Sequence, residues 1–97
     1  MRHDNIQEVV LFSVVRNRKK TTYPELLKLT PFSFTQLRSA VFNLLKRRLI
    51  LRHGGKYKPK FSLNRLETHR TKKILGNEWN PSWESSWEEI WGKPFYG

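Results

Sequence analysis

The apolar residues in the middle of this chain change their spacing at Arg48, from the period of an α-helix to that of a β-strand. Before Arg48 the apolar side chains recur every three or four residues, as in a helix with one buried face; they are Phe34, Leu37, Ala40, Val41, Leu44 and Leu45. After Arg48, residues 49–53 form one candidate strand, and apolar residues alternate with polar ones over residues 56–63, which is typical of a strand. The sequence therefore predicts a mainly α-helical α+β domain with a small antiparallel β-hairpin after the helix at residues 33–48.

Helix starts are marked by a capping residue followed three positions later by Glu or Gln. The chain has this pairing at Asp4 with Gln7, Thr22 with Glu25, Ser33 with Gln36, and Asn64 with Glu67. The first pair opens a largely buried helix that should end within residues 16–20. The other pairs predict helices over about residues 24–29, 33–48 and 65–75.

The predicted hairpin turns at Gly54 and Gly55, because two glycines suit the positive φ angles of a two-residue turn. On the return strand, residues 56–63, alternate side chains should face the core. Pro59 cannot donate to a β-ladder, so we expect this strand to lie at a sheet edge or to be kinked there. The core-facing residues of the strand are predicted to be Tyr57, Phe61 and Leu63.

The charge of the chain is divided between a basic body and an acidic tail. The 97 residues carry a net charge of +11, yet residues 1–73 hold 18 of the 19 Lys and Arg and only four acids, a net +14. Residues 74–97 carry −3 and all four tryptophans. We therefore expect a domain at residues 1–75 that binds a polyanion, followed by a Trp-rich acidic tail at residues 76–97.

Several kinds of chemistry find no support in the sequence. The chain has no cysteine, its three histidines show no metal-ligand spacing, and no phosphate-binding loop or nucleophile motif occurs. We expect no enzymatic activity, no cofactor and no metal site. No apolar run approaches the ~20 residues of a membrane span, so we expect a cytoplasmic protein that contacts no membrane and associates with the nucleoid when it binds DNA.

Residues 25–52 resemble the winged helix-turn-helix family of DNA-binding domains. The stretch reads as a short leucine-bearing helix, a turn at Thr30-Pro31, a second helix and a strand that opens with Leu-Ile. The resemblance extends over about residues 4–63 and implies a helix that enters the DNA major groove and a hairpin, the wing, that contacts the backbone. Two positions depart from the family pattern: Arg48 stands where a glycine is usual, and Phe42 occupies a normally polar, outward position.

By this resemblance the groove-facing positions fall on Thr35, Gln36, Arg38, Ser39 and Asn43, and the wing contacts on Arg52, Lys56, Lys58 and Lys60. Ser33, Lys46 and Arg47 complete the predicted DNA interface. Gln36 and Asn43 have the amide pair that reads adenine, and Arg38 can bind guanine through two hydrogen bonds. The simpler alternatives are an ordinary solvated helix face and lysines that protect a sheet edge from pairing.

The tail predicts a short amphipathic helix between a cap at Asn80 and Gly92. Its large apolar side chains, which should be buried against a protein surface, are Trp83, Trp87, Ile90 and Trp91, with Trp79 just before them. That surface can be the body of the same chain, a second copy, or another protein.

The sequence thus favours a duplex DNA-binding protein, most simply a small transcription regulator that forms a homodimer. The alternative is a winged-helix adaptor subunit of a replication or transcription complex that docks partners through the tail. RNA binding draws on the same charge and ranks third, because the sequence indicates no exposed aromatic platform outside the tail.

Overall fold

A computed structural model of the protein describes residues 5–17, 20–55 and 57–80. It contains four α-helices and three short strands in this part of the chain: α1 Ile6–Arg16, β1 Thr21–Thr22, α2 Tyr23–Leu29, α3 Phe34–Lys46, β2 Ile50–His53, β3 Lys60–Leu63 and α4 Thr68–Leu75. Two 3-10 turns, Arg65–Glu67 and Gly76–Glu78, flank α4. The mainly helical α+β fold is as predicted.

The starts of α2 and α3 follow from their capping residues. The side chain of Thr22 accepts a hydrogen bond from the backbone N–H of Glu25 at the start of α2. At α3, the Ser33 side chain accepts from the N–H of Gln36, and the Gln36 side chain accepts from the N–H of Ser33. This reciprocal pair satisfies two N–H groups that have no partner within the helix.

The cap of α1 differs from the prediction by one residue. Asn5, not Asp4, is the N-cap, and its side-chain oxygen accepts from the N–H of Glu8 at 3.2 Å. Asn and Asp cap helices about equally well, so the spacing alone allowed either start. α1 ends at Arg16 as expected and packs against α3 and β3 through its buried valines and leucine.

The three strands form an antiparallel sheet in the order β1-β3-β2. The central place of β3 excludes the edge position, one of the two alternatives predicted from Pro59, because Thr21 and Thr22 pair with Phe61 and Lys60 on the other side of that strand. Pro59 lies just before β3, so its missing N–H removes no bond from the ladder.

The β2–β3 connection is longer than predicted. His53 pairs with Lys60, so six residues separate the two strands, and only Gly54 of the two glycines has a positive φ, at 83°. A two-residue turn was therefore wrong. The same shift removes Tyr57 from the strand: it lies in the loop and is 90% exposed, which corrects its predicted place in the core.

The core lies between α1, α3 and the sheet. Its fully buried side chains include Leu11, Val15, Leu37, Leu44, Leu49 and Phe61. Trp79, the first of the four tryptophans, packs against this cluster. The other tail residues, Trp83, Trp87, Ile90 and Trp91, lie outside the described residues.

Candidate nucleic-acid interface

The outer face of α3 carries most of the polar residues predicted to contact DNA. Helical geometry places Thr35, Ser39, Phe42 and Lys46 opposite the buried stripe, and all four side chains are exposed. Ser33 and Gln36, at the start of the helix, are also exposed, whereas Asn43 is half-buried. No described carboxylate belongs to α3, so this face can approach a phosphate backbone without repulsion from its own acids.

The two amide side chains proposed to read adenine are both bonded to their own helix. The Gln36 carbonyl oxygen accepts from the Ser33 N–H at 2.9 Å, and Asn43 Nδ2 donates to the carbonyl of Ser39 at 3.1 Å. These bonds hold the side chains in fixed orientations. They lie beside the N-terminus of α1, in a shallow groove whose lining includes Thr35, Gln36, Ser39 and Asn43.

A second, larger groove runs between α3 and the β2–β3 hairpin. We call it the basic-aromatic groove; it has a volume of about 820 Å³, and its lining includes Tyr23, Phe34, Arg38, Phe42, Arg52, Tyr57, Lys58 and Lys60. The groove thus brings Arg38 of α3 together with three of the four predicted hairpin cations. The fourth, Lys56, lies outside the described residues.

The electrostatics of the groove are set by its cations. Burial raises the pKa of Tyr23 above its ordinary value, while the positive charges of Arg38 and Arg52 act in the opposite direction. Both guanidinium groups therefore lie close enough to the phenol to act on its ionisation. The described lining of the groove includes no carboxylate, so an anion entering it would meet only positive charge.

Arg47 lies on a different part of the surface. Its Nη1 donates to Gln7 Oε1 at 3.2 Å, and its own carbonyl accepts from Arg70 Nη1 at 3.1 Å. The pocket that Arg47 lines includes Glu8 and Lys73. The structure therefore does not bring Arg47 together with the hairpin cations.

The aromatic part of the groove was missed from the sequence. Phe34 was predicted to lie in the buried stripe of α3, yet it is 48% exposed, and Phe42 is 65% exposed. Phe34 lies at the margin of that stripe, where periodicity cannot decide on which side of the packing boundary a ring falls. The one available signal was Phe42, an apolar residue in an outward position.

Two further searches of the described residues found nothing. No group of three His, Asp or Glu residues within residues 5–17, 20–55 and 57–80 is placed to hold a metal ion. In the same part of the chain, no helix has the length and apolar character needed to cross a membrane.

Comparison with other proteins leaves the function to be inferred from this geometry. No protein-family model, curated protein or solved structure matches the chain.

Proposed function

We propose that the protein binds duplex DNA as a winged helix-turn-helix domain, with α3 in the major groove and the β2–β3 hairpin as the wing on the sugar-phosphate backbone. The observation that carries the proposal is the acid-free exposed face of α3 beside a hairpin that presents Arg52, Lys58 and Lys60. An α-helix fits the major groove, and backbone cations set its position there.

The order of elements supports this assignment. A helix, a short strand, two helices and a hairpin follow one another, and the first strand pairs with the return strand of the hairpin. This pairing joins the hairpin to the segment before α2, and β2 packs against α3, so α3 and the hairpin can both reach one DNA duplex. A small transcription regulator is the simplest role for such a domain.

Two further proposed roles, homodimer formation and partner docking, depend on the tail. Partner docking by an adaptor was inferred from the tryptophans of the tail, and homodimer formation from the same tryptophans together with the winged helix-turn-helix resemblance. Trp79 packs on the body of its own chain, whereas the other three lie outside the described residues. Duplex binding is the function that the described residues support best.

The test is the salt dependence of duplex binding, measured by fluorescence anisotropy with a labelled duplex of random sequence. Each cation that neutralises a phosphate contributes about −0.9 to the slope of log K against log salt concentration. We expect the double variant Lys58→Ala with Lys60→Ala to bind more weakly and to reduce that slope by about 1.8.

The matched control removes two exposed lysines outside the proposed interface, Lys28 and Lys73. Replacing both with alanine lowers the net charge equally but should leave most of the slope in place. Absence of duplex binding at low salt, or an affinity that does not change with salt, would contradict the proposal.

A further inference from the structure

Three aromatic side chains line the basic-aromatic groove with much of their surface exposed. Phe34 and Phe42 lie two turns apart on α3, and Tyr57 stands in the hairpin loop. Apolar rings gathered in one groove are costly to leave in water. Their common position indicates that something planar or apolar covers them in a complex.

One of these rings, Phe34, is held by the core beneath it. Tyr23 makes an edge-to-face contact with Phe34, with ring centroids 5.0 Å apart, and a second with the buried Phe61 at 5.2 Å. This chain of contacts joins Phe34 to the centre of the domain and limits its movement. These contacts therefore fix the orientation of Phe34 in the groove before any ligand binds.

The charges around the rings favour one kind of occupant. Arg38 lies on α3 between Phe34 and Phe42, at four-residue spacing from each, and Arg52, Lys58 and Lys60 line the same groove. Cations that alternate with exposed rings match a strand of nucleic acid, in which phosphates alternate with flat bases. A paired base inside a duplex cannot use such rings, because its faces are covered by its neighbours in the stack.

We propose that the basic-aromatic groove binds unpaired DNA bases, which stack on Phe42 and Tyr57 while the cations hold the adjoining phosphates. The proposal rests on the proposed DNA binding and specifies its substrate class: duplex that carries a single-stranded extension. The protein then prefers such DNA to blunt duplex of the same sequence.

Three labelled DNAs test this by fluorescence anisotropy with the full chain. One is a blunt duplex, the second has a thymidine overhang, and the third has an overhang of equal length made of abasic sites. The two overhangs carry the same phosphates, so any difference between them reports the bases alone. We expect the thymidine overhang to bind about tenfold more tightly than the abasic one, within the range for aromatic stacking of one or two bases.

The variants Phe42→Ala and Tyr57→Ala should each lower affinity for the thymidine overhang more than affinity for the abasic overhang, and so reduce this difference. Both side chains are exposed, so neither change removes core packing. Phe42→Trp keeps a stacking surface and should retain the preference. Leu66→Ala, which shortens an exposed apolar side chain that does not line the groove, is the matched control.

The outcomes separate the two proposals. Failure of all three DNAs to bind at low salt overturns the proposed function. Binding of blunt duplex with equal affinity for the two overhangs overturns the base-stacking proposal alone.

Discussion

The backbone N–H of Leu49 donates to the carbonyl oxygen of Leu44 across 3.1 Å, and the N–H of Arg48 donates to Leu45 at 3.0 Å. These two bonds are the Schellman arrangement at the end of a helix, which requires a left-handed residue just after the C-cap. That residue is Arg48, with φ at 61°. The motif turns the chain from α3 into β2 and so places the hairpin beside α3.

Arg48→Gly is expected to stabilise the protein. A non-glycine residue in the left-handed region costs about 1–2 kcal/mol, and glycine removes this strain. Glycine also gives the unfolded chain more entropy, which offsets about 0.4–1 kcal/mol of that gain in stability. Asn64 Nδ2 donates a hydrogen bond to the backbone carbonyl of residue 48. Because the acceptor is a backbone atom, the glycine variant retains this bond. We expect the free energy of unfolding to rise by about 0.5–1 kcal/mol, measured by urea denaturation followed by circular dichroism.

Lys46→Gly is the matched control, because it removes the same charge from the last turn of α3, where the backbone is helical. Glycine there should lower the free energy of unfolding by about 1 kcal/mol. If both substitutions destabilise the protein equally, Arg48 does not hold strain that glycine can relieve.

Local signals predicted the helices well, and non-local pairing accounts for the errors in the sheet. The capping box joins Ser33 and Gln36, which are three positions apart, so the local sequence is enough to predict it. β1 is only two residues long and exists because Thr21 and Thr22 meet Phe61 and Lys60. No local pattern reveals such a pair, and without it Pro59 indicated an edge.

The sequence predicted the charged residues of the candidate site but not the shape of the groove that they line. The cations of α3 and the hairpin were assigned to the interface from the resemblance to winged helix-turn-helix domains, which depends only on the sequence. The groove that joins Arg38 to Arg52 depends on how the hairpin folds back over α3. Tyr57 was misplaced for the same reason, since a longer loop moved it out of the strand.

Gln36→Glu is expected to separate stability from DNA binding. Glutamate at this position keeps the capping box with Ser33 and adds a favourable negative charge at the helix N-terminus, so the free energy of unfolding should stay equal or rise by up to about 0.5 kcal/mol. The same charge faces the proposed DNA and should weaken duplex binding by about fivefold. Anisotropy titrations and urea denaturation measure the two effects.

Asn77→Asp is its control, because it makes the same change in net charge at an exposed residue beyond α4. We expect it to weaken binding far less than Gln36→Glu at moderate salt, where distant charges are screened. Equal losses in the two variants would show that Gln36 does not face the DNA.

Thr71→Val is expected to stabilise α4. Thr71 is fully buried, and its Oγ1 has no hydrogen-bond partner among the described residues. Valine has nearly the same shape without the buried hydroxyl, so we expect the free energy of unfolding to rise by about 1 kcal/mol. Thr30→Val tests the opposite case, because the buried Thr30 hydroxyl donates to the Leu26 carbonyl at 2.7 Å, and its loss should cost about 1 kcal/mol. A stability loss in both variants would contradict the assignment of Thr71.

His53 should make the protein less stable in mild acid. Its Nε2 lies 2.7 Å from Ser62 Oγ, and burial, with a smaller contribution from the charge of Lys20, lowers its pKa below the ordinary value of 6.5. The histidine therefore binds a proton more tightly in the unfolded chain than in the folded protein. The folded protein has its full stability above pH 6.5, where His53 is neutral in both states, and loses stability as the pH falls through the folded pKa.

Urea denaturation at about pH 7.5 and about pH 5 measures this loss of stability. We expect His53→Gln to reduce it and His69→Gln, at an exposed histidine of α4, to retain it. An unchanged pH dependence in His53→Gln would show that another group is responsible.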